Sequence, residues 1–111
     1  MVETPLGELL GCGQIKLHGD RLREMASIAV LEHARGQGVA RAVIEALLTL
    51  ELERPIYLMC RARLKELYVK FGFQNIGMDK MPPYFRRISR AEQIFNSKAK
   101  LDNRLMVMRL D

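Results

Sequence analysis

The residues with the clearest chemical capability stand in one short run, Arg35-Gly36-Gln37-Gly38-Val39-Ala40, where strand-like alternation ends and a helical period begins. Glycines at such a junction let backbone N–H groups turn toward one point, and the start of a helix adds partial positive charge. With Arg35 as a charge-assisted partner, these groups suit a phosphate or pyrophosphate. A Gly-x-Gly turn also occurs for geometry alone, so the wider pattern has to decide. The Walker loop ends Gly-Lys-Ser/Thr, whereas this one ends Gly38-Val39-Ala40. The dinucleotide pattern G-x-G-x-x-G needs a third glycine where the chain has Arg41, and it opens a βαβ unit.

The other reactive side chains are few. Cys60 invites an acyl-cysteine intermediate, but no His-Asp pair neighbours it in sequence; it and Cys12 read as buried thiols. His33, beside the glycine loop, reads as a solvated loop residue, and His18 as an inert turn residue. Neither histidine sits in a pattern with metal-ligand spacing, so no metal is expected.

The elements that must position these groups follow from periodicity. Leu9 to Leu17 reads as a strand in which Gly11 and Gly13 permit a bulge or the close approach of a neighbour. His18-Gly19-Asp20 is a turn signal, and Leu22 to Leu31 completes an antiparallel hairpin. From Val39 the period becomes helical. Val39, Val43, Leu47 and Ala40, Ile44, Leu48 form the apolar face, with Arg41, Glu45 and Thr49 opposite and an end near Arg54-Pro55. A strand over Ile56 to Cys60, a short helix from Leu64 to Phe71 stopped by Gly72, and a strand over Phe73 to Ile76 come next. Pro82-Pro83 breaks the chain before a basic helix within Tyr84 to Asn96, and Leu105 to Leu110 closes the sheet. The order predicts one α/β domain over 1–111, with a mixed sheet.

Composition narrows the class. The chain has 111 residues, enough to bury a core without disulfides or metal. The apolar stretch from Val39 to Leu52 is interrupted by Arg41, Glu45 and Glu51, which excludes a membrane span there. An acidic, Pro- and Gly-containing start is no secretory signal, so a reduced cytoplasm is expected. Eighteen Lys and Arg against 13 Asp and Glu leave a formal charge of +5, which suits a phosphorylated small molecule or a nucleic acid. Charge alone speaks for nucleic acid, without a recognition-helix or aromatic RNA-binding motif, so that partner is set aside.

Arg35-Gly36-Gln37-Gly38-Val39-Ala40 resembles the coenzyme A loop of the GNAT N-acetyltransferases, Gln/Arg-x-x-Gly-x-Gly/Ala, at every specified position. The resemblance continues through the preceding strand end Ser27-Ile28-Ala29-Val30 to Leu67-Tyr68-Val69-Lys70-Phe71-Gly72-Phe73, which is similar to the family's short helix ending Tyr-x-x-x-Gly-Phe. It covers Gly7 to Ile76 and extends to the final strand. Met81-Pro82-Pro83-Tyr84-Phe85-Arg86 loosely resembles an insertion in some bacterial members, cyanobacterial ones included. The family fold starts with a strand and one or two helices ahead of the hairpin. Here Met1-Val2-Glu3 corresponds at most to the end of the second family strand. The expected fold is therefore GNAT-like and mixed, mostly antiparallel and flanked by helices, lacking that first strand and those helices. Uncovered surface of this kind predicts a homodimer.

The resemblance implies acetyl transfer from acetyl-CoA, as co-substrate, to a primary amine by direct attack. It places acetyl-CoA against Ile28, Ala29, Val30, Arg35, Gly36, Gln37, Gly38, Val39, Ala40 and Arg41, with the Val30 N–H toward the thioester carbonyl. It makes Tyr68 the general acid toward the departing sulfur, and it sets Glu24 where some members carry the base; an exposed strand glutamate is the plain alternative. A degenerate module that binds CoA or a partner without turnover is the competing reading of the same motifs. The acceptor is chosen by the front of the family fold and by Asp79 to Asn103.

Overall fold

Alternation along the first third of the chain produces the long antiparallel hairpin it predicts, β2 (Leu9–His18) with β3 (Leu22–Val30). A short β1 (Val2–Glu3) pairs antiparallel with β2. The computed structural model describes residues 2–3, 9–19, 22–30, 38–96, 98, 100 and 103–111. β2 runs one residue further than predicted, taking His18 out of the turn and into the ladder opposite Leu22.

Gly11 and Gly13 serve both purposes their positions suggest. Cys12 stands opposite Ala29 but Gln14 opposite Ala26, so β3 places one extra residue across from Gly13. Such a bulge bends its strand and re-aims the adjoining residues, here Ile28, Ala29 and Val30. A Cβ on Gly11 would lie 2.7 Å from Val39 Cγ1, and one on Gly13 2.5 Å from Ile28 Cδ1 and 2.7 Å from Val43 Cγ1. Bare backbone at these two positions lets α1 (Val39–Leu50) lie close against the hairpin. Val39 and Val43 are buried there with Ile28, Val30 and Leu47 around them, while Arg41, Glu45 and Thr49 are exposed as the period requires.

α1 stops at Leu50, four residues short of the Arg54-Pro55 boundary that proline alone suggests. Glu51 is already extended, and Arg23 of β3 holds Glu51 at 3.3 Å and Glu53 at 2.8 Å. These ion pairs draw the segment after Leu50 back toward the hairpin, whereas proline restricts only its immediate neighbour.

The chain divides into two compact units, Met1–Ile56 and Tyr57–Asp111. In the first, the strands lie in the order β1-β2-β3. In the second, the order is β4 (Ile56–Arg61), β6 (Leu105–Leu110), β5 (Gln74–Asn75), with β5 and β6 antiparallel. β5 is shorter than the predicted Phe73 to Ile76; Phe73 and Ile76 lie buried on either side of it, and the Ile76 N–H still donates to the Val107 carbonyl. A single 3-10 turn, Ala62–Leu64, leads into α2 (Lys65–Val69), and Gly72 terminates this region at φ 95°, the left-handed conformation expected of it. α3 (Pro83–Phe95) begins on Pro83, whose missing N–H costs nothing in a first turn.

Side chains of β4 alternate between two faces. Tyr57 stacks on Phe85 of α3 at 5.3 Å, and Arg61 pairs with Glu92 of the same helix. Cys60 points the other way, its sulfur 3.9 Å from that of Met108. Mixed α/β class, mostly antiparallel pairing and flanking helices agree with the expected fold.

Candidate functional site

In the first unit the site is built on the start of α1. Gly38 caps the helix at φ 76°, a conformation that strains any residue with a Cβ, and among the described residues, its chain neighbours aside, no atom lies within 4 Å of where that Cβ would be. The first helical bond runs from the Ala42 N–H to the Gly38 carbonyl, so the helix itself makes no use of the N–H groups of Val39, Ala40 and Arg41. Donors left unspent among the described residues, at a positive helix end, fit a phosphate. Val39 can offer only its backbone, since its side chain is buried in the core. Arg41 is exposed, its guanidinium 3.5 Å from Glu45 one turn along. Arg35, Gly36, Gln37 and His33 lie outside the described residues. Ile28 and Val30 pack toward α1, and Ala29 between them is exposed.

Glu24 departs from the plain alternative of an exposed strand glutamate: only 3% of it is accessible. Burying a carboxylate demands a partner, and the partner is His18, whose Nε2–H donates to Glu24 Oε1 at 2.8 Å. His18 is therefore a strand residue with a hydrogen-bond partner, not a turn residue. Lys16 stands opposite Glu24 in the ladder, so His18 is the diagonal neighbour on the same face, away from α1. The signal that could have revealed the pair is the register itself, which an unknown turn length kept out of the sequence.

In the second unit Tyr68 is buried on α2, its ring edge-on to Phe73 at 6.1 Å, and no described residue hydrogen-bonds its hydroxyl. Burial first, and the charge of the nearby Cys60 sulfur second, push its hydroxyl above the ordinary tyrosine range. It thus keeps a proton to give. Burial also pushes the Cys60 thiol up to about 11, so it stays protonated and a poor nucleophile, as its reading as a buried thiol requires.

On the α3 side of this unit lies a cavity of about 560 Å³ that sequence reasoning did not foresee, lined by Met81, Ser89, Glu92, Asn96, Arg104 and Val107 among others. Hydrogen bonds from Asn96 and Arg61 hold the Glu92 carboxyl below the ordinary range. The predicted elements flanked this space, but the loop and helix that wall it meet only through tertiary packing. Among the described residues no cluster of three or more His, Cys, Asp or Glu could hold a metal ion, and no helix is long and apolar enough to cross a membrane.

The acetyltransferase (GNAT) domain family matches residues 2–75, two thirds of the chain. The chain belongs to that family. Its fold is similar to that of N-acetylglutamate synthase from Neisseria gonorrhoeae, solved with coenzyme A and N-acetyl-glutamate: TM-score 0.71 and 20% identity, over 98% of this chain and 24% of that one. A putative acyl-CoA N-acyltransferase from Klebsiella pneumoniae gives a TM-score of 0.67 at 21% identity, over 97% of this chain and 67% of that one. Rv2747 from Mycobacterium tuberculosis, solved with CoA, gives 0.68 at 21% identity, over 98% of this chain and 72% of that one. This chain thus spans about a quarter of the Neisseria enzyme's length. No curated protein matches it in sequence.

Proposed function

We propose that this chain is an acyl-CoA-dependent N-acetyltransferase that passes an acetyl group from acetyl-CoA to a primary amine by direct attack. The observation that carries the reading is the left-handed Gly38 that opens α1 and leaves its first N–H groups unspent among the described residues, at the position the family loop specifies. Two similar structures, solved with coenzyme A, support CoA as the ligand.

In this reading the helix start and residues 35–41 hold the pyrophosphate, and the end of β3, at Ile28, Ala29 and Val30, lies along the pantetheine arm. The Val30 N–H faces the thioester carbonyl and stabilises the oxyanion as the amine adds. Glu24 removes the proton that the attacking amine must shed, and Tyr68 protonates the departing sulfur. The thioester supplies an activated acyl carbon, and no metal is assigned a part. The segment from Asp79 to Asn103 selects the acceptor.

A cytoplasmic setting and a homodimer belong to the same proposal, the latter supported by exposed Leu50, Leu52, Ile94 and Phe95. Calorimetry with CoA and thiol release over a panel of primary amines test the activity. Binding without thiol release from any amine points instead to a degenerate, non-catalytic module, and absence of CoA binding overturns both readings.

A further inference from the structure

Glu24 is a buried carboxylate with one hydrogen-bond donor among the described residues. Oε1 accepts from His18, and no described residue donates to Oε2. Lys16, opposite in the ladder, is exposed and forms no ion pair with it, and Arg23, the neighbour on β3, turns to the other face toward Glu51 and Glu53. A glutamate's terminal torsion is broad and nearly two-fold, so a carboxylate without a fixed contact samples many planes. The His18 bond removes that freedom, and His18 is itself held in the β2–β3 ladder opposite Leu22.

We propose that His18 is a positioning residue for acetyl transfer: its Nε2–H pins Oε1 of Glu24 and thereby presents Oε2 to the ammonium of the acceptor. The proposal rests on the reading of Glu24 as the base. The proton leaves the ammonium nitrogen for Oε2, the freed lone pair attacks the thioester carbon, the tetrahedral adduct breaks its C–S bond as Tyr68 protonates the departing sulfur, the nitrogen sheds its second proton to solvent, and the His18 bond to Oε1 persists throughout. His18 touches no reacting atom, and its effect passes entirely through Glu24.

The test is a double-mutant cycle in the full chain, with acetyl-CoA varied up to saturation and butylamine as the probe amine, thiol release being followed and folding checked by circular dichroism. Small misplacement of a reacting group costs up to about 100-fold, so His18→Leu is expected to lower kcat roughly 10- to 100-fold with the KM for acetyl-CoA little changed. His18→Gln, which keeps an amide N–H donor, is expected to recover most of that loss. In a Glu24→Gln background, His18→Leu is expected to cost nothing further. Should His18→Leu fail to fold, His18→Asn, polar but too short to reach, takes its place in the cycle.

The outcomes separate the two ideas. Turnover that ignores Glu24→Gln sinks the base assignment and this inference with it, and a parent chain that releases no thiol with butylamine or any other amine of the panel sinks the transferase reading beneath both. Turnover that needs Glu24 but ignores His18→Leu, or equal losses from His18→Leu in both backgrounds, overturns the positioning role alone.

Discussion

Gly11→Ala is the sharpest test of how the fold supports its site. The added methyl would come 2.7 Å from Val39 Cγ1 and 2.8 Å from the carbonyl oxygen of Ala29. Ordinary carbon contacts lie at about 3.5–4.0 Å, so roughly 1 Å must be found. A side-chain end could swing aside, but the Ala29 oxygen is backbone in a paired strand, and Val39 is a buried, β-branched residue with one comfortable rotamer. The start of α1 must therefore lift. Overpacking of this kind costs about 1–3 kcal/mol. With roughly 4–8 °C of Tm per kcal/mol in a domain near this size, the melting temperature is expected to fall by at least about 4 °C. Val39 follows Gly38 directly, so the same shift moves the anion-facing N–H groups, and CoA affinity is expected to drop about tenfold or more, the worth of one charge-assisted bond. Gly19→Ala is the control: nothing lies within 4 Å of its Cβ, so its effect should stay within about 0.5 kcal/mol. Denaturant melts and CoA calorimetry on both variants read the result. Parental stability and CoA affinity in Gly11→Ala would refute the claim that bare backbone sets the seat of α1.

Gly38→Glu is expected to cut CoA affinity at least tenfold by calorimetry, through like charge at the helix start and strain at φ 76°, while Gly38→Asn, which tolerates that backbone, should bind far better than the glutamate variant. Tyr68→Phe is expected to lower turnover about 10²- to 10⁴-fold with CoA affinity nearly unchanged; equal kcat would reduce Tyr68 to packing. Cys60→Ala should retain turnover, because a thiol raised to about 11 is no nucleophile at neutral pH, and complete inactivation of a folded Cys60→Ala chain would contradict this. The same thiol gives stability a pH signature. Unfolded, it ionises near its ordinary value of 9.0, but folded it holds its proton to about 11, so its contribution is complete below pH 9 and falls between pH 9 and 11. Denaturant midpoints across that range should decline less in Cys60→Ala. Light scattering tests the dimer, which a folded monomer at low micromolar concentration would exclude.

What the sequence determined by itself was everything that local chemistry dictates. Gly38 and Gly72 adopt left-handed backbone because only glycine does so without strain, and Pro83 opens α3 because a first turn has no use for its N–H. The apolar period from Val39 buried the face it marked, and the spacing of glycine loop and tyrosine helix pointed to the GNAT family that the match over residues 2–75 establishes. Tertiary structure decided what depends on residues meeting from distant positions. Where α1 stops was set by Arg23 reaching Glu51 and Glu53, and the character of Glu24 was set by the register out of the turn, which pairs it with Lys16 and brings His18 to its diagonal on one face. A shift of one residue in a strand exchanges its two faces, so a buried carboxylate paired with His18 and an exposed glutamate beside an idle histidine are the same letters in two registers.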